Sequence, residues 1–453
     1  MMSPLEKKSL FGLAFLYAFR MIGLFMLLPV LSLYAKEYSG STIILVGVAL
    51  GIYGLTQGLF QIPLGFLSDR FGRKPIIFIG MLIFFLGSII AATSETMWGL
   101  IAGRALQGVG AVASTIMALL SDLTTEQSRT KAMAVIGASI GVSFAVSLVV
   151  GPILANLWGL SGLFWLTAVL SILGSLILFF LVPTSSVLKN NPESQAVPQM
   201  FSRLLKNREL LRLNFGIAVL HFSQMAIWIS VPLILEQTFN FNREGHWVIY
   251  LTILGLSFIC MLPFIFIAEK KQKIKLVFIG AILLLTLGEI LLGSGLNNHI
   301  IFLLGLFTFF MAFNLLEATL PSLVSKLAPA GAKGTAMGVY STSQFLGAFL
   351  GGISGGIIAH YFGYAGVFWL TACLTILWVI FAATMKKPRH FKTLTVHLTS
   401  EDIIIPEDYI SGVPGICDVV IIAEQQLAYF KVDMDQFCPE SMEKILGRKT
   451  YFS

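Results

Sequence analysis

The chain has 453 residues, of which 56% are hydrophobic and 12% are charged. Soluble domains carry about 25% charged residues, and the amphipathic helices of a soluble all-helical protein have polar faces that these apolar runs lack. The composition therefore excludes a soluble globular protein and predicts a polytopic membrane protein. The net charge of +7 does not by itself indicate nucleic-acid binding, because its placement decides its meaning.

Apolar runs separated by charged breaks predict twelve membrane spans, because about 20 apolar residues cross a bilayer. The first run is too long for a signal peptide and has no small-residue cleavage site after it, so we expect it to remain as a helix. The predicted spans are 9–34, 42–67, 75–93, 98–121, 132–156, 162–182, 212–238, 246–268, 275–295, 299–324, 335–359 and 364–385. Residues 1–187 then form a first six-helix bundle, 188–211 a linker and 212–386 a second bundle.

Lys and Arg residues concentrate in the links that follow the even-numbered spans and at both ends of the bundle. The links on the other side contain only Lys36 and Arg243. Since positively charged links stay on the cytoplasmic side, we expect both termini and the linker to be cytoplasmic. The positive balance of the chain is therefore a topology signal.

A short charged link joins the second and third spans in the sequence GFLSDRFGRK, from Gly65 to Lys74. Its charged residues Asp69, Arg70 and Arg73 are flanked by apolar runs, so the link must lie at a membrane face. The pattern G-x-x-x-D-R-x-G-R-K resembles motif A of the major facilitator superfamily, a family of secondary transporters. The resemblance implies two six-helix halves that work by alternating access.

We expect this link to act as a gate. Asp122 ends span 4 on the same side and is a predicted partner of one of the arginines. By the resemblance, Asp69 also caps the positive N-terminal end of helix 11, near 334–336, and its protonation favours inward opening; such a cap is worth about 0.3–1 kcal/mol. Gly65 and Gly72 support the gate, because tight packing and a sharp turn each need a missing side chain. The alternative is that the charges serve topology alone.

Two arginines lie inside predicted spans, where a charge costs about 2.5–3.5 kcal/mol and usually serves a function. Arg104 and Gln107 lie in RALQGVGA of span 4, which is similar to the superfamily's motif B. Proton-coupled members place this arginine near the central cavity; a snorkelling arginine is the alternative. Arg20 interrupts span 1 and is predicted either to line the cavity or to pair with a carboxylate. Both arginines are candidates for proton coupling. Arg104 and Gln107, like Asn314 and Glu317 of span 10, are also candidates for lining the substrate cavity.

Span 5 contains a glycine-rich pattern made of Gly137, Gly141, Gly151 and Pro152. It resembles motif C of drug–proton antiporters and favours antiport over symport. The match is partial, because Ala155 and Asn156 stand where that motif favours glycine. Packing through small residues, common to membrane bundles, is the alternative explanation.

The second half has intramembrane polar groups of its own. Glu317 in span 10 is the candidate for reversible protonation, and Asn314 lies on the same helix face. In span 7, His221, Gln224 and Trp228 follow one another at about one-turn spacing and predict a stripe that faces a substrate cavity. A helix-packing role for His221 is the alternative. A carboxylate in span 9, at position 289, is predicted to be structural.

The two halves repeat each other. FWLTA at Phe164–Ala168 recurs at Phe368–Ala372, an offset of 204 residues that holds without a gap between 131–173 and 335–377. An even number of spans lies within this offset, so both copies have the same orientation. Parallel repeats of this kind relate transporter halves about an axis along the membrane normal.

From about residue 389 the composition becomes that of a soluble protein. The segments TLTVHLTS, CDVVIIAE and LAYFKVD predict strands and PESMEKIL predicts a helix, so 389–453 are predicted to form a small α+β, ferredoxin-like cytoplasmic domain. Cys417 and Cys438 are far apart, so no soft-metal site is predicted. We expect this domain to self-associate or to contact the cytoplasmic face of the bundle.

Together these features predict a secondary active transporter. The resemblance to the superfamily implies a place in a bacterial inner membrane and a proton-driven antiporter that exports an amphipathic small molecule. Symport or uniport of a sugar or metabolite is one alternative, and a non-transporting sensor that signals through the tail is another. We find no nucleophile–base pair, metal-ligand cluster or Walker sequence, so enzyme activity, metal binding and ATP use are not predicted. The expected partners are substrate, protons and lipid, and not nucleic acid.

Overall fold

The computed structural model describes residues 2–183, 204–270, 273–329, 333–385, 391–397, 415–422, 427–433 and 436. The helices are α1 (Pro4–Phe25), α2 (Leu31–Tyr34), α3 (Ile43–Phe71), α4 (Arg73–Thr93), α5 (Met97–Val109), α6 (Ala113–Asp122), α7 (Glu126–Phe180), α8 (Arg208–Gln237), α9 (His246–Lys270), α10 (Ile274–Ser294), α11 (His299–Leu327) and α12 (Lys333–Ala383). Three strands follow, β1 (Phe391–His397), β2 (Ile416–Ile422) and β3 (Leu427–Asp433).

Ten helical segments of the described part are long and apolar enough to cross a membrane. Two of them have 50 residues each, about 75 Å at the rise of an α-helix, whereas the hydrocarbon core of a bilayer is about 30 Å thick. Each of the two bends once, α7 at Gly159 (φ 65°) and α12 at Gly363 (φ 70°). Each therefore supplies two crossings, which together with the other eight segments make the twelve that the sequence predicts.

The two bends lie at equivalent places in the repeat. Gly363 follows Gly159 by 204 residues, the offset that separates the two FWLTA copies. Both glycines combine a positive φ with a ψ near 180°, a backbone conformation that is essentially restricted to glycine. The equivalent bends support a duplication of the two halves.

Two predicted spans are interrupted, so their prediction as continuous helices is wrong. Span 1 stops as α1 at Phe25 and continues only in the short α2, because Pro29 has no N–H group and its ring clashes with the carbonyl of the residue four positions earlier. Span 4 is divided into α5 and α6 near Gly110. There the backbone lies so close to Gly80 of α4 that a side chain would not fit.

The second half starts earlier than predicted. Helix α8 begins at Arg208 and not at 212, because Asn207 caps it: the Asn207 Oδ1 accepts hydrogen bonds from the N–H groups of Glu209 (3.0 Å) and Leu210 (3.3 Å). Residues 188–203, which make up most of the predicted linker, lie outside the described residues.

Large apolar side chains cover the outside of the helical bundle. Phe180, Phe362 and Leu157 are 76%, 71% and 68% exposed. Soluble proteins rarely leave large contiguous apolar patches in water, whereas the hydrocarbon of a bilayer solvates such side chains. The surface therefore fits a protein that is embedded in a membrane.

The two ends of the bundle differ in charge. We call the end at which α1 begins and α3 ends the basic end; its described residues include Lys7, Lys8, Arg70, Arg73, Lys74, Lys131, Lys206, Arg208, Arg212, Lys270, Lys273 and Lys326. The opposite end, at which α3 begins, carries Lys36 and Arg243.

Helices α3 and α12 join the two halves through glycines. A Cβ atom built on Gly51 would lie 2.7 Å from the carbonyl oxygen of Phe349, and one on Gly54 would lie 2.7 Å from that of Phe345. The two backbones therefore touch, and a side chain would force them apart. The contact loosens toward the basic end, because a Cβ on Gly58 would lie at an ordinary 3.5 Å from the Phe345 Cβ. The halves are thus closed against each other at the opposite end.

The described residues of the tail form an antiparallel sheet with the strand order β1-β3-β2. Leu394, Val419 and Phe430, one from each strand, are buried. The strands lie within two residues of their predicted starts. The predicted helix at 439–446 lies outside the described residues, so the ferredoxin-like class stays a prediction.

Candidate functional site

The charged link between α3 and α4 is held by Arg73. Its guanidinium group forms an ion pair with Asp69, donates from Nε to Asp122 Oδ2 at 3.2 Å, and donates from Nη1 to Ser68 Oγ at 2.7 Å. The side chains of Arg73 and Asp122 are 9% and 5% exposed. Asp69 belongs to α3, Arg73 to α4 and Asp122 to α6, so Arg73 connects these three helices at the basic end.

The two glycines of the link differ in their reason for being glycine. Gly72 has a φ of 94°, which favours glycine at the turn from α3 to α4. The predicted tight packing at Gly65 is wrong in this arrangement. A Cβ there would lie 3.8 Å from Ser114 Oγ, an ordinary van der Waals distance.

The remaining charged residues of the link lie apart from Arg73. Arg70 is exposed and its guanidinium carbon lies 5.5 Å from the ring centroid of Phe71. The Lys74 Nζ donates to the backbone carbonyl of Val182, just beyond the end of α7. The capping of α12 by Asp69 stays a prediction, since residues 330–332, immediately before that helix, lie outside the described part.

Arg20 and Arg104 meet around Tyr53 in the interior of the first half. The Arg20 Nη2 donates to the Tyr53 hydroxyl at 3.0 Å and to Gln57 Oε1 at 3.3 Å. The Arg104 guanidinium carbon lies 5.0 Å from the Tyr53 ring centroid, and its Nη1 donates to Gln107 Oε1 at 2.9 Å. Both arginines are 1% exposed, so neither snorkels to the membrane surface.

In the second half, Glu317 of α11, His221 of α8 and Gln344 of α12 come together. The Gln344 Nε2 lies 2.7 Å from His221 Nε2 and 3.5 Å from Glu317 Oε1, and the His221 and Glu317 side chains approach to 3.9 Å. The short contact requires His221 Nε2 to accept, which places the ring proton on Nδ1. Asn314 donates to Ser257 Oγ at 3.3 Å. The Glu317 side chain is 40% exposed, so part of it borders an open space, whereas its Oε2 atom is buried.

Aromatic rings connect this cluster to the first half. The Phe313 ring centroid lies 5.8 Å from that of His221 and 6.3 Å from that of Phe144, which belongs to α7. Phe144 also lies 6.5 Å from Phe310. Phe313 therefore connects the titratable pair of α8 and α11 to Phe144 of the other half.

The predicted stripe on α8 divides between two environments. His221 belongs to the polar cluster, whereas Trp228 is 1% exposed and packs 5.5 Å from the ring of Tyr250. The backbone carbonyl of Trp228 accepts from Ser32 Oγ of α2 at 3.4 Å. Gln224 is 3% exposed. Trp228 thus lies in the contact that closes the halves toward the opposite end.

The glycines of span 5 also fall into two groups. A Cβ built on Gly137 or Gly141 would meet no described heavy atom within 4 Å, whereas one on Gly151 would lie 2.5 Å from the carbonyl oxygen of Met26. Gly151 and Pro152 therefore sit where α7 touches the end of α1. Gly137 and Gly141 do not support tight helix packing in this arrangement.

Comparison with known proteins decides the family. Residues 13–352 match the Major Facilitator Superfamily. The chain belongs to this superfamily. The predicted membership of this superfamily is thereby confirmed, and the chain is a transporter and not an enzyme.

Named relatives include other members of the superfamily. Inner membrane transport protein YajR of Escherichia coli (strain K12) is 46% identical over 435 residues, which are 95% of each chain. Tetracycline resistance protein, class B, of Escherichia coli is 28% identical over 235 residues, 49% of this chain and 56% of that protein. A crystal structure of a D-xylose–proton symporter superposes with a TM-score of 0.67 at 14% identity, covering 84% of this chain and 98% of that one, and shows the shared fold.

Sequence reasoning missed three polar residues of this superfamily member. Tyr53 and Gln57 hold Arg20, and Gln344 bridges His221 and Glu317. The signal was available in GIYGLTQ, where two polar side chains lie one turn apart in the middle of an apolar span. A polar group at such a depth needs a hydrogen-bonding partner.

Replacing Arg73 by Gln is expected to lower the stability of the first half strongly. The change removes the ion pair between Arg73 and the nearly buried carboxylate of Asp122, and breaking a buried ion pair costs about 3–5 kcal/mol. Thermal unfolding of the purified protein in detergent measures the effect. Arg70→Gln, which removes an exposed charge from the same link, is the matched control and should change stability by less than about 0.5 kcal/mol. Equal midpoints for the two variants would contradict the role of Arg73.

Proposed function

We propose that the protein is a proton-driven antiporter that exports an amphipathic small molecule by alternating access. The observation that carries the proposal is the cluster of Glu317, His221 and Gln344, which joins three helices of one half beside the aromatic contact with the other half. The Glu317 carboxyl group can gain or lose a negative charge, and its contacts with His221 of α8 and Gln344 of α12 change when it does.

Proton binding and helix movement are coupled at this cluster by electrostatics. A charged side chain inside a membrane costs about 2.5–3.5 kcal/mol, and protonation of Glu317 removes that charge. The same proton alters the hydrogen bond that Gln344 of α12 donates to Glu317. Since α12 is also the helix that touches α3 of the other half, protonation biases the contact between the halves.

The direction of transport and the class of substrate rest on further features. The glycine pattern of span 5 resembles that of drug–proton antiporters, and one relative is named a tetracycline resistance protein. The ring of Phe313 lies 5.8 Å from that of His221 and 6.3 Å from that of Phe144, which in turn lies 6.5 Å from Phe310. Aromatic and apolar surface suits a substrate with a hydrophobic body. Neither ATP nor a metal is needed, because the proton-motive force supplies the energy.

We assign the basic end to the cytoplasm of a bacterial inner membrane, with both termini on that side, because Lys and Arg mark cytoplasmic links. The arrangement described here, with α3 and α12 in contact at the opposite end, is then the one that opens inward. Asp69 and Arg73 act as the gate that re-forms contacts with the second half when the cytoplasmic side closes.

Flux in proteoliposomes tests this function. A pH gradient imposed on vesicles that contain the full-length protein should drive tetracycline against the direction of proton flow, recorded together with the internal pH. Protein-free vesicles and vesicles with a protonophore are the controls. Movement of the compound in the same direction as the protons would indicate symport, and flux that ignores the gradient would indicate a uniporter; either result overturns the proposal.

A further inference from the structure

The first half contains two buried guanidinium groups for which the described residues provide no carboxylate. Arg20 and Arg104 are each 1% exposed, and the ion pairs of the described part include neither of them. Their hydrogen-bond partners are neutral: the hydroxyl of Tyr53, the side-chain amides of Gln57 and Gln107, and a backbone carbonyl. Two positive charges therefore share one small region of a membrane-embedded bundle.

The unpartnered atoms of this region have one chemical character. Arg20 Nε and Nη1, Arg104 Nη2 and Gln57 Nε2 are buried and find no hydrogen-bond partner among the residues that the structure describes. All four are N–H donors. A buried donor without an acceptor costs about 1–3 kcal/mol, and more when it is charged. The described residues of this region therefore supply fewer acceptors than it has donors, and no carboxylate to balance its positive charge.

We propose that this region, which we call the arginine pair (Arg20 and Arg104, with Tyr53 and Gln57), binds a carboxylate group, and that the transported compound is an amphipathic organic anion. Arginine recognises carboxylates through paired, charge-assisted hydrogen bonds, and the four free donors provide them. The substrate assignment rests on the function proposed above, whereas the binding of a carboxylate does not.

The position of the arginine pair suits a site that opens during transport. Tyr53 and Gln57 belong to α3, and Gln57 is the neighbour of Gly58, where the contact with Phe345 of α12 loosens. Tyr53 and Gln57 contact Arg20 of α1 and Arg104 of α5, so the arginine pair lies next to the face of α3 that leaves α12 when the halves separate. The arginines are enclosed in the present arrangement, so a carboxylate bound there is sealed from the opposite end.

Binding is tested on the purified full-length protein with benzoate as the organic carboxylate, benzamide as its neutral analogue and chloride as the inorganic anion. Benzoate is expected to raise the unfolding midpoint by at least about 2 °C, and benzamide should not. This measurement needs neither a variant nor a membrane gradient. Absence of any anion effect overturns the site, and protection by chloride without protection by benzoate overturns the carboxylate assignment.

Substitutions of the two arginines test whether benzoate binds at the arginine pair. Arg20→Gln and Arg104→Gln should each weaken benzoate binding about tenfold or more, since each removes charge-assisted hydrogen bonds, whereas Arg70→Gln should bind benzoate as the parent protein does. Unchanged affinity in both interior variants would overturn the assignment.

In proteoliposomes, proton-driven flux of benzoate supports the substrate class. Benzoate that binds at the arginine pair without being moved, while tetracycline is moved, overturns the substrate class alone. Binding with no gradient-driven flux of either compound leaves the site intact and contradicts the function proposed above.

Discussion

Replacing Glu317 by Gln should abolish proton-driven accumulation while leaving exchange of substrate across the membrane intact. The amide keeps the size of the side chain and still accepts the hydrogen bond from Gln344, but it cannot bind and release a proton. One proton moving through 100 mV supplies about 2.3 kcal/mol, which corresponds to a concentration ratio of about 50. That ratio should fall to one in the variant, as measured by accumulation in proteoliposomes at a fixed potential.

Substrate counterflow without a gradient separates loss of coupling from loss of folding, because it requires the moving bundle but no net proton transfer. Glu289→Gln is the matched control. Glu289 is fully buried within the second half, where it accepts from Thr375 Oγ1 at 2.7 Å, and it lies outside the proposed transport site. Proton-driven accumulation that survives in Glu317→Gln and fails in Glu289→Gln would place the coupling carboxyl in α10 and refute the proposed role of Glu317.

Introducing a side chain at Gly352 should stop the transport cycle by preventing closure at the opposite end. A Cβ atom there would lie 2.5 Å from the carbonyl oxygen of Gly47 and 2.9 Å from the backbone nitrogen of Gly51. These are backbone atoms that cannot move aside, so Gly352→Leu forces α12 away from α3. We expect at least a hundredfold loss of transport, roughly the effect of a 3 kcal/mol penalty on the closed state.

Alkylation of a cysteine at Ala348 reports the separation directly. Ala348 is 4% exposed between the two helices, so a cysteine there should react slowly with a maleimide in the parent background and rapidly in Gly352→Leu. Gly137→Leu is the control, because a Cβ at Gly137 would meet no described heavy atom within 4 Å. If the maleimide reacts equally slowly in all three proteins, the glycine contact does not close the bundle.

The twelve crossings could be predicted from the sequence because the thickness of a bilayer sets the length of each apolar run, whatever the rest of the chain does. The repeat could be predicted because equivalent helices need equivalent packing, as the bends at Gly159 and Gly363 illustrate. The strands of the tail alternate in polarity and were placed within a few residues. Each of these features depends on local sequence alone.

The breaks within spans and the partners of the buried charges depend on tertiary contacts. Pro29 was visible in the sequence, but apolar composition on both sides concealed the break that it causes. The close approach of Gly110 to α4 and the bond between Arg20 and Tyr53 join residues that are far apart in the chain. A list of polar residues identifies Arg20 and Glu317 as unusual, yet it does not reveal that one is held by neutral groups and the other faces open space.

Gln344 is a further residue whose role depends on tertiary contacts and could not be predicted from the sequence. It lies in a polar stretch, YSTSQ of α12, where one amide among several hydroxyl groups gives no reason to single it out. Its importance comes from the meeting of α8, α11 and α12, which brings it between His221 and Glu317.

Distances between paired spin labels test most directly whether the halves rock against each other. On a background without the four cysteines, one pair at Trp98 and Tyr361 spans the opposite end, and a second pair at Phe71 and Leu276 spans the basic end; all four side chains are at least 60% exposed. When pH or substrate is changed, alternating access predicts that one distance lengthens as the other shortens. Distances that stay fixed, or that change in the same direction at both ends, would contradict it.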